Sequence, residues 1–111
     1  MKKKLNFQTK AIIAGRSMDA VSGKTFETLN PANGKILAKI ARCEKADADI
    51  AVEAARNAFE NGPWPKMSPA ERKVILQRFA TLIEAHTDEL AELEAIEAGK
   101  PISDCIEIDL P

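Results

Sequence analysis

The side chains best suited to nucleophilic or metal-assisted chemistry here are two cysteines, Cys43 and Cys105, and one histidine, His86. None lies near another in sequence. Cys43 follows a predicted strand and stands just before a predicted helix, where the helix dipole favours a thiolate. No histidine or second base accompanies it, so it reads as a passive thiol. Cys105 occupies an apolar helical position and reads as core. His86 falls at the end of a helical run, where a cap or a charge complementary to the helix dipole is the expected role. The glycines never cluster, so no phosphate-cradling G-x-G-x-x-G loop is present. No catalytic constellation and no cofactor-binding loop is visible in these residues.

Composition narrows the remaining classes. At 111 residues with a net charge of −1, the chain is one domain at most, and nothing favours nucleic acid or an anionic membrane. Lys2, Lys3 and Lys4 make a basic start, but Asn6, Gln8, Thr9 and Lys10 interrupt any apolar run behind it. Residues 1–10 are therefore expected to be a disordered terminus. No stretch approaches the length of a membrane-spanning helix. Two unpaired cysteines suit a reducing compartment, so cytoplasm is the expected location.

The elements that must position these residues begin with short strands. Ala11–Ala14 and Met18–Val21 predict a hairpin turning at Ala14-Gly15-Arg16. Thr25–Leu29 alternates as a strand, Asn30-Pro31-Ala32-Asn33-Gly34 is strong turn chemistry, and Lys35–Ala41 alternates again, with Ile36, Ala38 and Ile40 on one face. From Ala46 the period becomes helical. Asp47 and Asp49 sit in the first turn, and Ile50, Ala51, Ala54, Ala55, Ala58 and Phe59 form a small-residue stripe. Asn61-Gly62-Pro63 ends that helix, and Trp64 reads as a packing anchor in the connector. Ser68-Pro69-Ala70-Glu71 is a capping box before Val74, Ile75, Leu76, Phe79, Leu82 and Ile83. Thr87 is the expected cap of a third helix burying Leu90, Leu93 and Ile96, stopped by Gly99 and Pro101. Beyond Pro101, Ile102, Cys105 and Ile106 suit a helix, while Ile106, Ile108 and Leu110 alternate like a strand.

Several of these pieces stand in a familiar register. Leu90–Pro101, which ends in Gly-Lys-Pro, resembles a segment near the start of the NAD(P)-dependent aldehyde dehydrogenases. The resemblance extends back through Ser68-Pro69-Ala70-Glu71-Arg72, Gly62-Pro63-Trp64 and Asn30-Pro31-Ala32-Asn33-Gly34, and covers roughly residues 11–111. It departs from the family at Ala14, where Asn or Gly is usual, and at Met18, where an aromatic is common. Ala38–Arg42 and the stretch around Phe59 and Trp64 look most similar to the enzymes acting on γ-glutamyl-aminobutyraldehyde.

The resemblance implies an α/β fold. Residues 11–111 would be the N-terminal portion of the cofactor-binding domain: short strands, three helices and the start of a fourth element. It implies oxidation of a small-molecule aldehyde to a carboxylic acid with NAD or NADP, with the amino-aldehydes as the substrate group that the most similar enzymes suggest. In that family a cysteine thiolate attacks the aldehyde, hydride leaves to the nicotinamide, and a glutamate-activated water hydrolyses the thioester. Those groups fall beyond residue 111, so the chain alone is expected to be inactive. The alternative is a truncated, non-catalytic remnant that at most binds full-length relatives, with Ala51, Ala54, Ala55, Ala58, Ile102 and Ile106 exposed and prone to self-association. The family is homo-oligomeric. It also implies a structural sodium or potassium ion, held by the main-chain oxygens of Thr28 and Leu29 and the carboxylate of Glu97. Glu97 is one methylene longer than the family's usual Asp. The competing reading makes Glu97 and Lys100 solvated charges at a helix end.

Overall fold

In the computed structural model, which describes residues 5–111, the chain forms four short strands and four helices, a mixed α/β arrangement. It divides into two units, residues 8–26 with 39–74 and residues 5–7 with 27–38 and 75–111. The lysine-rich start, residues 1–4, falls outside the described residues.

The first of these units opens with β1 (Ala11–Ile13) and β2 (Arg16–Met18), which pair antiparallel with Ile13 opposite Arg16 and Ala11 opposite Met18. The loop is only Ala14-Gly15, both at positive φ (52° and 75°). Such a two-residue turn matches the twist of the strands it joins. This corrects the expected second strand at Met18–Val21. The tight turn begins pairing at Arg16, so the chain leaves the hairpin at Asp19 and buries Ala20 instead. Within the stretch expected to be disordered, the Thr9 carbonyl accepts from Ala41 N–H at 2.8 Å.

Helix α1 runs Lys45–Asn61. Its face bearing Asp47, Ala51 and Ala54 is wholly or half covered, whereas Val52, Ala55 and Phe59 on the neighbouring face are exposed. Gly62 N–H closes the helix on the Ala58 carbonyl at 3.0 Å. Trp64 opens a single 3₁₀ turn, Trp64–Lys66. There it serves as a ledge for Arg72, whose guanidinium carbon stands 5.9 Å from the ring centre. Arg72 also donates to the Trp64 and Pro65 carbonyls, both at 3.2 Å. Trp64 itself is exposed, so the contact it makes here is cationic and main-chain.

Strands β3 (Thr25–Leu29) and β4 (Ile36–Ala41) make a second two-stranded sheet. Their turn is built as its residues dictate. Asn30 Oδ1 accepts from Ala32 N–H, Asn33 Oδ1 accepts from Lys35 N–H, and Gly34 N–H donates to the Asn30 carbonyl. The expected alternation in β4 fails at its start. Ile36 borders the turn and stays exposed, while Leu37 and Ala38 are both half-buried.

Helix α2 (Pro69–Ala85) begins with the expected capping box: Ser68 N–H donates to Glu71 Oε2 at 2.7 Å, and Glu71 N–H donates to Ser68 Oγ at 3.2 Å. Helix α3 covers Thr87–Ala98. Thr87 is not its cap. The Thr87 hydroxyl turns back onto the Glu84 and Ile83 carbonyls of α2, the competing bond that a threonine at a helix end can always make. His86 does serve as a cap, but of α2: its Nδ1–H donates to the Leu82 carbonyl at 2.8 Å. That acceptor requires the proton on Nδ1. After Pro101 the helical alternative wins, as α4 (Ile102–Asp104) running into a π-turn over Cys105–Asp109.

Little apolar surface is sealed by these contacts. Among the described residues only Ala20, Ala91 and Cys105 form a buried apolar core.

Candidate functional site

The residues expected to hold a cation lie on two segments of the same unit. Thr28 and Leu29 end β3, directly before the Asn30-Pro31 turn; Thr28 is half-buried and Leu29 exposed. Glu97 lies in the last turn of α3 and is exposed. Gly99 holds the two segments close. It adopts a left-handed φ of 71°, and a Cβ built on it would stand 2.9 Å from Pro31 Cγ. Only a residue without a Cβ allows the end of α3 to approach the turn that follows Leu29. Main-chain carbonyls and one carboxylate are hard oxygen donors and fit a monovalent cation in kind. Among the described residues no ion pair engages Glu97, so its carboxylate is uncommitted.

Lys100, the next residue along, is not a merely solvated charge. Its Nζ donates to both carboxylate oxygens of Asp109 at 2.7 Å, with the two side chains about one-third exposed. That bond raises the Lys100 pKa above the ordinary lysine value, against the opposing effect of burial. The pair closes the π-turn over Cys105. Cys105 is fully buried, and burial, followed by the Asp109 charge, pushes its thiol upward. A thiol held protonated and sealed from solvent is a core side chain, not a nucleophile. Cys43 is free and exposed.

The polar centre of the other unit is Asp47, which the sequence suggested only as a partner for the helix dipole. It is the one buried charged residue among those described. Its Oδ2 accepts from Glu44 N–H and its Oδ1 from Val21 N–H, both at 2.8 Å. These N–H groups, Glu44 first, hold its carboxyl below the usual carboxylate range. The Glu44-x-x-Asp47 spacing is a capping signal that could have been read from sequence. The reach to Val21 has no local signal. The structure therefore brings Thr28, Leu29 and the end of α3 into one unit. It ties His86 to a carbonyl and encloses Cys105, and it assembles no group of three acidic, cysteine or histidine side chains among the described residues.

Comparison with known proteins gives the same answer along nearly the whole chain. The model of the aldehyde dehydrogenase family matches residues 18–110. The aminoacetaldehyde dehydrogenase of Pseudomonas aeruginosa is 47% identical over 107 residues, covering 96% of this chain and 22% of that protein. The γ-glutamyl-γ-aminobutyraldehyde dehydrogenase structure from Burkholderia cenocepacia superimposes with a TM-score of 0.93 at 46% identity, covering 96% of this chain and 22% of that one. The indole-3-acetaldehyde dehydrogenase AldA of P. syringae, solved with NAD⁺, gives a TM-score of 0.92 at 47% identity, with the same coverage of 96% and 22%. The chain spans about a fifth of the length of the relatives it matches. With the Asn-Pro turn, the capping box and the Gly-Lys-Pro corner folded as the resemblance implied, the chain belongs to the aldehyde dehydrogenase family.

Proposed function

We propose that residues 11–111 serve as the N-terminal portion of the cofactor-binding domain of an NAD(P)-dependent aldehyde dehydrogenase, which oxidises an aldehyde, preferably an amino-aldehyde, to the carboxylic acid. The carrying observation is the continuous family match over residues 18–110 on a backbone that superimposes at a TM-score of 0.93. The amino-aldehyde preference draws on two relatives named for aminoacetaldehyde and γ-glutamyl-γ-aminobutyraldehyde. The segment's own residues position and do not react: Cys105 is enclosed, Cys43 has no histidine beside it in sequence, and His86 spends one ring nitrogen on the Leu82 carbonyl. Alone, the chain is inactive. Joined to the remaining part of the fold, in the cytoplasm and as a homo-oligomer, it completes the enzyme. The test is aldehyde-dependent reduction of NAD⁺ and NADP⁺ by a polypeptide carrying this segment and that remainder. Absence of reduced nicotinamide across aliphatic, aromatic and amino-aldehydes with both cofactors would overturn the reading.

Thr28, Leu29 and Glu97 would hold a sodium or potassium ion, which supplies positive charge between the end of β3 and the end of α3 and takes no part in a reaction step. The close Gly99–Pro31 approach and the uncommitted Glu97 carboxylate support this. Replacing choline chloride by sodium or potassium chloride at equal ionic strength should raise the unfolding temperature. Glu97→Ala should abolish that rise. An equal response in the variant would leave Glu97 a solvated charge.

The second reading, a non-catalytic remnant that binds full-length relatives, is favoured by the exposure of Phe59, Phe79, Ile102 and Ile106. Catalysis by the joined polypeptide separates the two.

A further inference from the structure

An asparagine can lose its side-chain amide to its own backbone. The nitrogen of the next residue attacks the side-chain carbon Cγ and closes a five-membered imide. Two conditions govern that attack. The next residue must carry an N–H, and the side chain must be held forward over its nitrogen. Asn30, Asn33 and Asn61, which stand at a turn or a helix end, separate the two conditions.

Asn30 Oδ1 accepts from Ala32 N–H at 2.9 Å, so its side chain is held forward. Its neighbour is Pro31, whose nitrogen has no proton to lose. Asn61 precedes Gly62, which has an N–H. Its Nδ2, however, donates back along α1 to Asn57 Oδ1 at 2.9 Å, and that bond draws the side chain away from the Gly62 nitrogen. Of the three, only Asn33 meets both conditions. Asn33 Oδ1 accepts from Lys35 N–H at 2.9 Å, and the residue enclosed by that bond is Gly34. Cγ and the Gly34 nitrogen are thus members of one hydrogen-bonded ring, and Gly34 has no Cβ to hinder their approach. The same Lys35 N–H points at the oxygen on which negative charge develops during attack. One bond opposes the reaction: Gly34 N–H donates to the Asn30 carbonyl at 2.7 Å. It belongs to the turn and not to the strand ladder, so it can open locally. Gly62 N–H is committed in the same way, to the Ala58 carbonyl at 3.0 Å, so this bond does not distinguish the two sites.

We propose that Asn33 is a site of self-modification. The Gly34 nitrogen bonds to Asn33 Cγ, the Cγ–Nδ2 bond breaks, and ammonia leaves with the proton that Gly34 gives up. Water then opens the imide. Cleavage at Cγ leaves aspartate at position 33; cleavage at the main-chain carbonyl leaves isoaspartate, with the backbone running through Cβ and Cγ. No electron is transferred, and water is the only co-reactant. Every other reacting atom belongs to Asn33 and Gly34, so the reaction asks nothing of residues outside the turn. The product carries an added negative charge and, as isoaspartate, an added backbone methylene, in the turn whose Pro31 lies against Gly99.

The test holds the protein, folded and in its native length, in mildly alkaline buffer, where the Gly34 proton is more readily removed. Proteolytic peptides are followed by mass and by isoaspartate detection at the three positions. Asn33 is expected to convert at least about tenfold faster than Asn61, since positioned attack separates them, and to yield both aspartate and isoaspartate. Asn30 should remain an amide. In guanidinium chloride the side chains are released, and Asn33 and Asn61 should then convert at comparable rates. Equal rates in the folded protein, faster conversion at Asn61, or a gap that persists in guanidinium chloride would each overturn the proposal. Aspartate at position 33 with no isoaspartate would overturn the imide route.

Discussion

At the start of α1 one buried carboxylate, Asp47, receives the N–H groups of Glu44 and Val21. At the end of α3 the corresponding tie is divided between a glycine whose missing Cβ admits Pro31 and a lysine that reaches Asp109. The first region is held by two backbone donors on one buried carboxylate, in part-buried hydrogen bonds. The second is held by shape and by an ion pair about one-third exposed, where solvent competes for both charges. A buried acceptor of main-chain N–H groups costs most to remove, because the orphaned donors keep their desolvation penalty. An exposed ion pair leaves both partners free to rehydrate. The two regions should therefore respond differently to mutation, to pH and to salt.

The largest effect belongs to Asp47. Asp47→Ala strands the Val21 and Glu44 N–H groups and should lower the unfolding temperature by roughly 10 °C, with faster hydrogen exchange at both amides. Its folded-state pKa is depressed. Its contribution is therefore present above the ordinary aspartate value and lost as pH falls through the lower, folded one. The variant's stability should consequently vary less with pH on the acid side. If the native chain and Asp47→Ala lose stability in parallel on acidification, Asp47 is not the tie described here.

Gly99→Ala comes next. The left-handed backbone alone costs a residue with a Cβ about 1–2 kcal/mol, and the contact at 2.9 Å from Pro31 adds to it. Denaturant unfolding should show that loss, and Pro31→Ala in the Gly99→Ala background should recover part of it. Failure to recover any would place the whole cost in the backbone.

Asp109→Asn should have the smallest effect. The raised Lys100 pKa means that the pair's contribution is complete below the ordinary lysine value and is lost as pH rises through the folded one. The variant should lose a few degrees near neutrality and nothing further in alkali, and added salt should narrow its gap from the native chain. A loss matching that of Asp47→Ala would erase the contrast between the two regions.

The same contrast separates what sequence reading reached from what it missed. Ser68 and Glu71 meet across three residues, so their capping box was legible, as were Thr25–Leu29, the ends of α1 and the left-handed Gly99. Local chemistry decides each of these. The start of β2 was missed because Ala14 accepts a positive φ usually left to Gly or Asn. Thr87 was misassigned because its hydroxyl found carbonyls behind it before amides ahead. The Asp47–Val21 bond spans 26 residues and the Lys100–Asp109 pair nine, so no local pattern announces either. The cation ligands Thr28, Leu29 and Glu97 came only from family resemblance, since main-chain oxygens leave no mark in a sequence.

The central claim is that this segment positions and completes an aldehyde dehydrogenase without supplying reactive groups of its own. The most direct measurement is reduction of NAD⁺ in the presence of an amino-aldehyde, made on the 111-residue chain alone and on the chain joined to the remaining part of the fold. The account predicts no turnover in the first and aldehyde-dependent turnover in the second. Turnover by the chain alone, or its absence from the joined protein, would contradict it.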